Sequence, residues 1–491
     1  MFTSLRRTLL LAQLAVAVFA ATAPSATAAQ PLRTGIHISN DPAEASTAAF
    51  QRIRESGASV VRLAMSWREI APVERAVGFS AADPAEPSYR WERLDQLVRL
   101  ARAQRVEPLV FFVEAPAWAE RRPSNDGLPG NGDPDPIEFG RFSAAAAARY
   151  SGTFGGLPRV RYWEAWNEPN LSLYMTPQLE NNIPVSPAWY REILQQFATA
   201  VRAARRDNVI VAGGLAPFRD ISGEVMAQRK DWGPLSFMRE FLCLSRQLRP
   251  TCSVRLPFDV WAHHPYTSGG PTHHAVLRDD VSLGDLPEMR RVLDAAVRAG
   301  HIAARGGKPE FWVTEFSWDS RPPDPRGVPM ALLTRWVAEG MYRMWRNGVS
   351  LVTWFTLRDQ PLNISFFQSG LYFRGTTFAL DRPKPALRAF RFPVVGIRQS
   401  RGFLIWGRTP TSTAVRVSVQ QTFRGGWREL AVLHPDRYGI FQRRFTSAAT
   451  GSIRARVLGR PDVSPVFGLK PVADRFFNPF GQQTLLEGPP R

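Results

Sequence analysis

The sequence predicts a (β/α)8 barrel of the TIM type, followed by a small antiparallel β-sandwich. Apolar runs of strand length alternate with amphipathic helical stretches from residue 34 to about 390. Long polar loops follow several strands, as on the ligand-binding face of such barrels. After residue 390, short alternating strands replace the helices. A doubly wound open sheet is the alternative, but its usual glycine-rich turn is missing after the first strand, IHISNDPAE.

Eight apolar segments, each followed by a helical pattern, make up the predicted barrel. The predicted strands are Thr34–Ser39, Ser59–Met65, Glu107–Val113, Val160–Trp166, Asn208–Gly214, Phe258–His264, Glu310–Phe316 and Ser350–Thr356. The predicted helices are Pro42–Ser56, Arg90–Gln104, Ile137–Tyr150, Ala188–Arg206, Leu235–Leu248, Pro287–Ala304 and Val328–Asn347. We therefore expect a barrel over 29–390, a sandwich-like module over 391–470 and a loosely ordered tail over 471–491.

The N-terminus predicts export. Arg6 and Arg7 precede the apolar run Leu9–Ala23, and Ala26–Ala28 is a small-residue cleavage signal, so residues 1–28 are a predicted signal peptide. No later segment is long and apolar enough to cross a bilayer, so a secreted protein without a membrane span is expected. In an oxidising compartment Cys243 and Cys252 could close one local loop or stay as two buried thiols.

A formal net charge of +19 raises the hypothesis of a nucleic-acid or other polyanion-binding protein. Nearly all of the basic charge is arginine, since the chain has four lysines, and the arginines are spread along the chain rather than gathered in runs. No nucleic-acid partner is therefore expected. The charge indicates a generally cationic surface that tolerates anionic surroundings.

The stretch YWEAWNEPN places two acids near the end of the fourth predicted strand. Glu164, Trp166 and Glu168 fall on one face by the strand period of two, with Glu168 at the C-terminal rim and Glu164 one layer deeper. At the mouth of a barrel, beside the amide of Asn167, Glu168 is placed to donate a proton to a leaving group. Glu164 is expected to be a buried structural acid that pairs with Arg62.

A second acid, Glu315, ends the seventh predicted strand in EFWVTEFSW. The ends of strands four and seven face each other across a barrel mouth, so Glu168 and Glu315 are expected to meet there. Two facing carboxylates are the minimum equipment for cleaving a glycosidic bond, one protonated to assist departure and the other ionised.

Other strand ends carry candidate supporting groups. Arg62 could hold a carboxylate ionised through a charge-assisted hydrogen bond. His264 and Tyr266 are expected to orient or hydrogen-bond the nucleophile. Trp354, which ends the eighth strand, and Trp118 are candidate platforms on which sugar rings stack.

Together, WNEPN at 166–170, Glu315, Arg62 and His264-Pro-Tyr266 resemble the clan A glycoside hydrolases, family 39 most closely, with family 5 a near neighbour. The resemblance covers residues 34–390 and implies a retaining double displacement with Glu168 as acid/base and Glu315 as nucleophile. It also implies that Asn167 contacts the 2-hydroxyl of the sugar, that Tyr266 donates to the nucleophile and that Arg62 lies beneath it. No metal or organic cofactor is expected, since the sequence offers no convincing ligand cluster.

The chain departs from the expected pattern after the third strand, where Glu114 stands before Pro116 and Trp118. Glu114 is a third rim acid, an accessory substrate contact or, as we expect, a partner for an arginine. A transglycosylase on the same fold and a catalytically idle carbohydrate-binding protein remain alternatives. The sugar specificity, endo or exo action, the role of the module and the oligomeric state are open.

Overall fold

The computed structural model of the protein describes residues 30–122, 128–181, 183–219, 231–267, 269–362, 367–411 and 414–472. The predicted signal peptide over 1–28 and nearly all of the predicted tail lie outside these residues.

Eight parallel strands form a closed barrel, which confirms the predicted fold class. The strands are β1 (Arg33–His37), β2 (Val60–Ser66), β3 (Glu107–Val113), β4 (Tyr162–Glu164), β5 (Val209–Leu215), β6 (Val260–His263), β7 (Glu310–Phe316) and β8 (Val349–Phe355). Each strand pairs with its neighbours in chain order, and β8 closes on β1. The predicted bounds of β3 and β7 are those observed, whereas the fourth predicted strand is reduced to three residues.

The inside of the barrel is filled with side chains near its N-terminal end. The buried side chains there are Val60, Leu109, Tyr162, Val211, Val260, Ala262, Trp312 and Leu351. Arg33 adds a cationic plug, because it donates to the Tyr162 hydroxyl at 3.0 Å and its guanidinium lies 5.0 Å from the centre of the Trp312 ring. This packing leaves the C-terminal rim as the end of the barrel where a site can form.

Helices surround the barrel. They are α1 (Thr47–Glu55), α2 (Trp67–Ile70), α3 (Glu92–Ala103), α4 (Pro136–Arg149), α5 (Ser186–Ala204), α6 (Pro234–Phe241), α7 (Leu286–Arg298), α8 (Met330–Arg346) and α9 (Pro385–Arg391). The start of α4 illustrates the local code: Asp135 accepts from the amides of Ile137 and Glu138, and Pro136 occupies the first turn, where a missing N–H costs nothing.

Short strand pairs and single turns of 3-10 helix occur in the loops that connect the barrel strands and helices. The pairs are Glu120–Arg122 with Asp133–Pro134, Leu179–Glu180 with Ile183–Pro184, Ser320–Arg321 with Val328–Pro329, and Tyr372–Phe373 with Arg382–Pro383. The 3-10 turns are Pro42–Glu44, Ala117–Ala119, Leu283–Asp285 and Phe378–Leu380.

The C-terminal module consists of two antiparallel sheets, as expected of a small sandwich. Its strands are β9 (Val394–Arg398), β10 (Phe403–Arg408), β11 (Val417–Phe423), β12 (Gly426–Leu433), β13 (Ile440–Phe445), β14 (Ser452–Val457) and β15 (Phe467–Gly468). One sheet has the order β9-β10-β13 and the other the order β12-β11-β14-β15.

The module packs on the barrel through α8 and the start of β1. The ring of Trp406 lies 5.5 Å from those of Tyr342 and Trp345, and Arg335 donates to the Gly468 carbonyl at 2.7 Å. Buried Arg408 donates to the Thr34 hydroxyl at 3.2 Å. Because Thr34 lies near the N-terminal end of its strand, the module covers apolar barrel surface away from the C-terminal rim.

Cys243 and Cys252 form a disulfide with their Cα atoms 5.3 Å apart, which settles the alternative left open by the sequence. Among the described residues, no helix combines the length and the apolar character that a membrane span requires.

Candidate active site

Glu168 and Glu315 meet at the C-terminal rim of the barrel. One carboxylate oxygen of each, together with a ring nitrogen of His264, lie within 4.8 Å of one another. Retaining glycosidases hold their two carboxyl groups about 5–5.5 Å apart. The two carboxyl groups therefore lie close enough to contact the same bond of a ligand in the cleft.

Irregular backbone brings these side chains to the cleft. Trp166 and Glu168 have φ angles of 70° and 40°, so the chain turns sharply after β4 instead of extending the strand. In β7, one extra residue lies between Val313 and Phe316 relative to β8, a bulge that re-aims the side chain of Glu315. Non-glycine residues in the left-handed region are uncommon and cluster at functional sites.

Glu315 is held by two donors. Arg62 Nη1 donates to Oε1, and the Tyr266 hydroxyl donates to Oε2 at 3.0 Å. Burial raises the pKa of Glu315, while Arg62 and Tyr266 oppose that rise by stabilising the carboxylate. Burial and the Glu315 charge raise the pKa of Tyr266 well above its ordinary value, so this phenol stays protonated and able to donate.

Arg62 donates hydrogen bonds to three other residues of the site. Its side chain is fully buried, its Nε donates to Glu164 at 2.8 Å and its Nη2 donates to the side-chain Oδ1 of Asn167 at 2.9 Å. The guanidinium lies 3.6 Å from the centre of the Phe111 ring. Burial alone would lower the pKa of Arg62, but Glu164 and Glu315 outweigh burial and raise it. The predicted Arg62–Glu164 ion pair is thus confirmed.

Glu168 has a different environment. Its Oε1 lies 2.8 Å from His264 Nδ1, and burial first, then the Glu315 charge, raise the pKa of Glu168 well above its ordinary value. Glu168 therefore keeps the proton that the two glutamates share, because Glu315 has the donors that stabilise a carboxylate. The side chain is 11% exposed, so it is not sealed off from the cleft.

His264 contacts a different partner from the one expected. It was expected to contact Glu315, but its Nδ1 is 3.9 Å from Glu315 and hydrogen-bonds Glu168 instead. Here the chain of β5 carries an extra residue, Gly214, opposite β6. A Cβ on Gly214 would lie 2.8 Å from Glu164 Oε1, and its φ is +58°, so glycine is needed at this position.

Trp354 differs from its predicted role as a sugar platform, whereas the role of Trp118 stays a prediction. Trp354 is 1% exposed, donates its indole N–H to the Ser369 carbonyl at 2.7 Å and packs against Phe316 and Phe390, so neither face is open to a sugar ring. The aromatic residues that border Trp354 make it part of the core. Trp118 is half-buried and donates to the Pro72 carbonyl at 2.9 Å.

Several residues of the site were not predicted from the sequence. His37 ends β1, and its Nδ1 lies 3.4 Å from Arg62 Nη1. Thr314 donates to Glu164 Oε1 at 2.8 Å. The half-buried Tyr174 lies close enough to the acid pair that burial, Glu168 and Glu315 raise its pKa well above its ordinary value. The position of His37 at a strand end was a usable signal, whereas Thr314 depends on the β7 bulge and Tyr174 on a loop.

Glu114 lies at the rim with a φ of 58°. It accepts a hydrogen bond from the Ser66 hydroxyl at 2.6 Å, and Arg68 is 3.9 Å away. The expected arginine partner is present at the limit of an ion pair. Its side chain is 37% exposed, so the carboxylate also remains open to a ligand.

The Glu168, His264 and Glu315 group also has the spacing of a metal site, which spacing along the chain does not reveal. Its charge environment opposes that role. The Arg62 guanidinium donates to Glu315, and burial keeps Glu168 protonated, so a cation would displace one and deprotonate the other. These residues are better suited to proton transfer than to holding a metal.

A cavity of about 650 Å³ lies elsewhere, between α6 and the connection that leads to α7. Arg239, Arg246 and Asp279 are among its lining residues, and ion pairs already join these arginines to that aspartate. The acid pair does not line this cavity, so the chemistry rather than the cavity volume identifies the candidate site.

No protein-family model and no curated protein match the chain. Among solved structures, a family 39 glycoside hydrolase from the gut symbiont Bacteroides cellulosilyticus WH2 matches at 16% identity and a TM-score of 0.51, over 85% of this chain and 81% of that one. A monomeric β-xylosidase from Caulobacter crescentus CB15 matches at 14% identity and a TM-score of 0.50, over 85% of this chain and 95% of that one. The predicted resemblance is therefore confirmed at the level of the fold: this chain has the fold of family 39 glycoside hydrolases.

Proposed function

We propose that the chain is a secreted retaining glycoside hydrolase that cleaves O-glycosidic bonds in poly- or oligosaccharides. The observation that carries the proposal is the unequal environment of two facing carboxyl groups. Glu315 receives hydrogen bonds from Arg62 and Tyr266, whereas burial and the neighbouring charge keep Glu168 protonated. One acid is thereby prepared to attack and the other to donate.

In the first step, the ionised Glu315 attacks the anomeric carbon while Glu168 gives its proton to the departing glycosidic oxygen. The product is a glycosyl ester on Glu315 and an ionised Glu168. Arg62 and the Tyr266 hydroxyl stabilise the carboxylate of Glu315 before it attacks and again when the ester breaks. Arg62 donates to the side-chain oxygen of Asn167, and the side-chain nitrogen of Asn167 is the proposed donor to the 2-hydroxyl of the sugar.

In the second step, Glu168 takes a proton from water, and the resulting hydroxide attacks the anomeric carbon and releases Glu315. Both glutamates return to their starting protonation states, and two inversions give net retention of configuration. The same residues support transfer to a sugar acceptor in place of water, so the product distribution decides between hydrolysis and transglycosylation.

The decisive experiment is turnover of a panel of activated aryl glycosides and polysaccharides by the wild type and by Glu168→Ala. We expect retained anomeric configuration in the first-formed product. Azide should restore turnover of an activated substrate by Glu168→Ala and yield a glycosyl azide of retained configuration. An inverted product would refute the retaining mechanism, and binding without turnover across the panel would support a carbohydrate-binding protein instead.

The residues over 1–28 support the secreted part of the proposal. Expression of the full-length chain with its N-terminus intact should give a processed protein outside the cytoplasm whose first residue is near Ala29. A full-length protein that stays in the cytoplasm would contradict export.

A further inference from the structure

A continuous hydrogen-bond chain runs from Glu168 away from the cleft into the barrel. Glu168 Oε1 lies 2.8 Å from His264 Nδ1, His264 Nε2 lies 3.0 Å from Thr314 Oγ1, and Thr314 Oγ1 lies 2.8 Å from Glu164 Oε1. All four side chains are buried, three of them with no measurable exposure. In such surroundings each hydrogen has to be donated to a partner, so the direction of every bond can be worked out.

The direction is fixed from the inner end. Glu164 is ion-paired with Arg62 through its other oxygen, so its Oε1 accepts, and the hydroxyl hydrogen of Thr314 is donated to it. Thr314 Oγ1 can then only accept from His264, which places a hydrogen on Nε2. Burial first, then Arg62, lower the pKa of His264 well below its ordinary value, so the ring is neutral and carries one N–H.

With its hydrogen on Nε2, His264 presents a lone pair at Nδ1. The contact between Nδ1 and Glu168 Oε1 is then a hydrogen bond only if Glu168 donates, which means that Glu168 is protonated. The reverse direction would require a protonated Glu164 beside the Arg62 guanidinium. The negative charge of Glu164 at the inner end of the hydrogen-bond chain is therefore coupled to the proton on Glu168 at the outer end.

We propose that Thr314 is a positioning residue that sets the tautomer of His264 and thereby keeps Glu168 protonated in the free enzyme. The proposal rests on the proposed glycosidase function and deepens it. When a substrate arrives, the Glu168 hydroxyl turns from Nδ1 to the glycosidic oxygen and delivers its proton there. An ionised Glu168 then faces the Nδ1 lone pair, which makes it a stronger base toward the water of the second step.

Other titratable and charged groups also face Glu168 and His264 from the strands and loops around them. These groups are His37, Arg62, Glu164, Tyr174, His263, Tyr266 and Glu315. The negative charge of Glu315 favours a protonated Glu168, and Arg62 opposes it. The effect of the hydrogen-bond chain on the protonation of Glu168 can be separated from the effect of these groups. Thr314 carries no charge, and its replacement leaves all of the charged groups in place.

The test compares Thr314→Val with Thr314→Ser. Valine has the shape of threonine but no acceptor, so an Nε2–H would be buried without a partner. The hydrogen should then move to Nδ1 and donate to an ionised Glu168. We expect the basic limb of the kcat/KM profile of Thr314→Val to move to lower pH by about one unit, which is a tenfold loss above that limb. Thr314→Ser keeps the hydroxyl and should keep the wild-type profile.

Leaving-group dependence separates this role from general damage. The loss in Thr314→Val should appear with alkyl glycosides, whose departure needs a proton, and stay within about twofold for dinitrophenyl glycosides, which need little acid assistance. An unmoved basic limb, or an equal loss for both substrate types, would overturn the proposal.

The tautomer of His264 can also be measured without substrate turnover, so this test does not depend on the proposed glycosidase activity. Nitrogen-15 NMR of histidine-labelled protein reports which ring nitrogen of His264 carries hydrogen. We expect Nε2–H in the wild type and in Thr314→Ser, and Nδ1–H in Thr314→Val. An Nδ1–H tautomer in the wild type refutes the relay even if the enzyme is active, and the expected tautomers stand even if no substrate is turned over.

Discussion

The barrel and the C-terminal module differ in how far acidic side chains balance their arginines. Residues 29–390 carry 44 basic and 38 acidic side chains, and at the rim the buried Arg62 is shared by Glu164 and Glu315. Residues 391–470 carry 14 basic and three acidic side chains, a net charge of +11 in about a sixth of the length. More than half of the net charge of the chain therefore lies in the module.

The acids of the module are already engaged. Asp462 pairs with Arg391, Glu429 accepts from the Ser418 hydroxyl, and Asp436 accepts from two backbone amides. Arginines are spread along the whole chain, as the sequence indicated, but net charge depends on the acids too, and these are scarce after residue 390. In the barrel, acidic and basic side chains are nearly equal in number, whereas most arginines of the module are exposed and have few acids near them.

The largest effect expected from this contrast is on turnover. Glu315→Gln removes the proposed nucleophile while keeping its shape, and we expect turnover of aryl glycosides to fall on the order of 10⁴-fold or more, since no covalent intermediate can form. The matched change in the module, Glu429→Gln, should leave turnover within about twofold. Initial-rate kinetics of both purified variants checks this prediction, and comparable losses in the two would place the chemistry outside the rim.

A smaller effect is expected on stability. The raised pKa of Glu168 means that the unfolded chain releases this proton at lower pH than the folded protein does. The contribution of this group to the free energy of unfolding is therefore fully present below the ordinary glutamate pKa. It is lost as the pH rises toward the pKa of Glu168 in the folded protein. Glu168→Gln stays neutral, so we expect it to match the wild type in acid and to exceed it by at least about 1 kcal/mol near neutral pH.

Thermal unfolding of wild type and Glu168→Gln as a function of pH measures this difference. The same variant should lose about 10²–10⁴-fold in turnover of substrates with poor leaving groups, because the acid is gone. A stability difference that does not grow with pH would mean that Glu168 ionises in the folded protein as it does in the unfolded chain.

The sequence predicted the parts of the molecule that follow from periodicity. Strands β3 and β7 each contain a continuous apolar run after an exposed N-terminal glutamate, so their bounds and the rim position of Glu315 could be derived. The same rule counted Glu164, Trp166 and Glu168 as one strand face, although β4 ends at Glu164 and the chain turns through left-handed residues beyond it. The acid reached the rim as expected, by a different backbone path.

The partners within the site were harder to derive, because they depend on bulges. The extra residue in β7 brings Thr314 to Glu164, and the extra residue at Gly214 accompanies the placement of His264 on Glu168 rather than on Glu315. Neither irregularity leaves a periodic signal. Trp354 was misjudged for another reason: an aromatic residue at a strand end can face the helices outside the barrel as well as the cleft, and Trp354 packs against Phe390 of α9.

The smallest effect on catalysis, and the sharpest test of the contrast, concerns the exposed arginines of the module. Replacing Arg443, Arg444 and Arg456 with glutamine should leave turnover of small aryl glycosides within about twofold and stability within about 0.5 kcal/mol, since all three are exposed.

The same triple variant should elute from a column of a carboxylated polysaccharide at lower salt than the wild type, because unpaired surface charge provides long-range attraction that salt screens. The matched control replaces Arg93, Arg99 and Arg102, which are exposed on the barrel helix α3. Both triple variants lose the same formal charge, but the barrel arginines belong to a region where acids nearly balance bases. Elution should therefore change less for the barrel variant, and equal shifts for the two would mean that total charge, rather than its concentration in the module, governs contact with anionic surfaces.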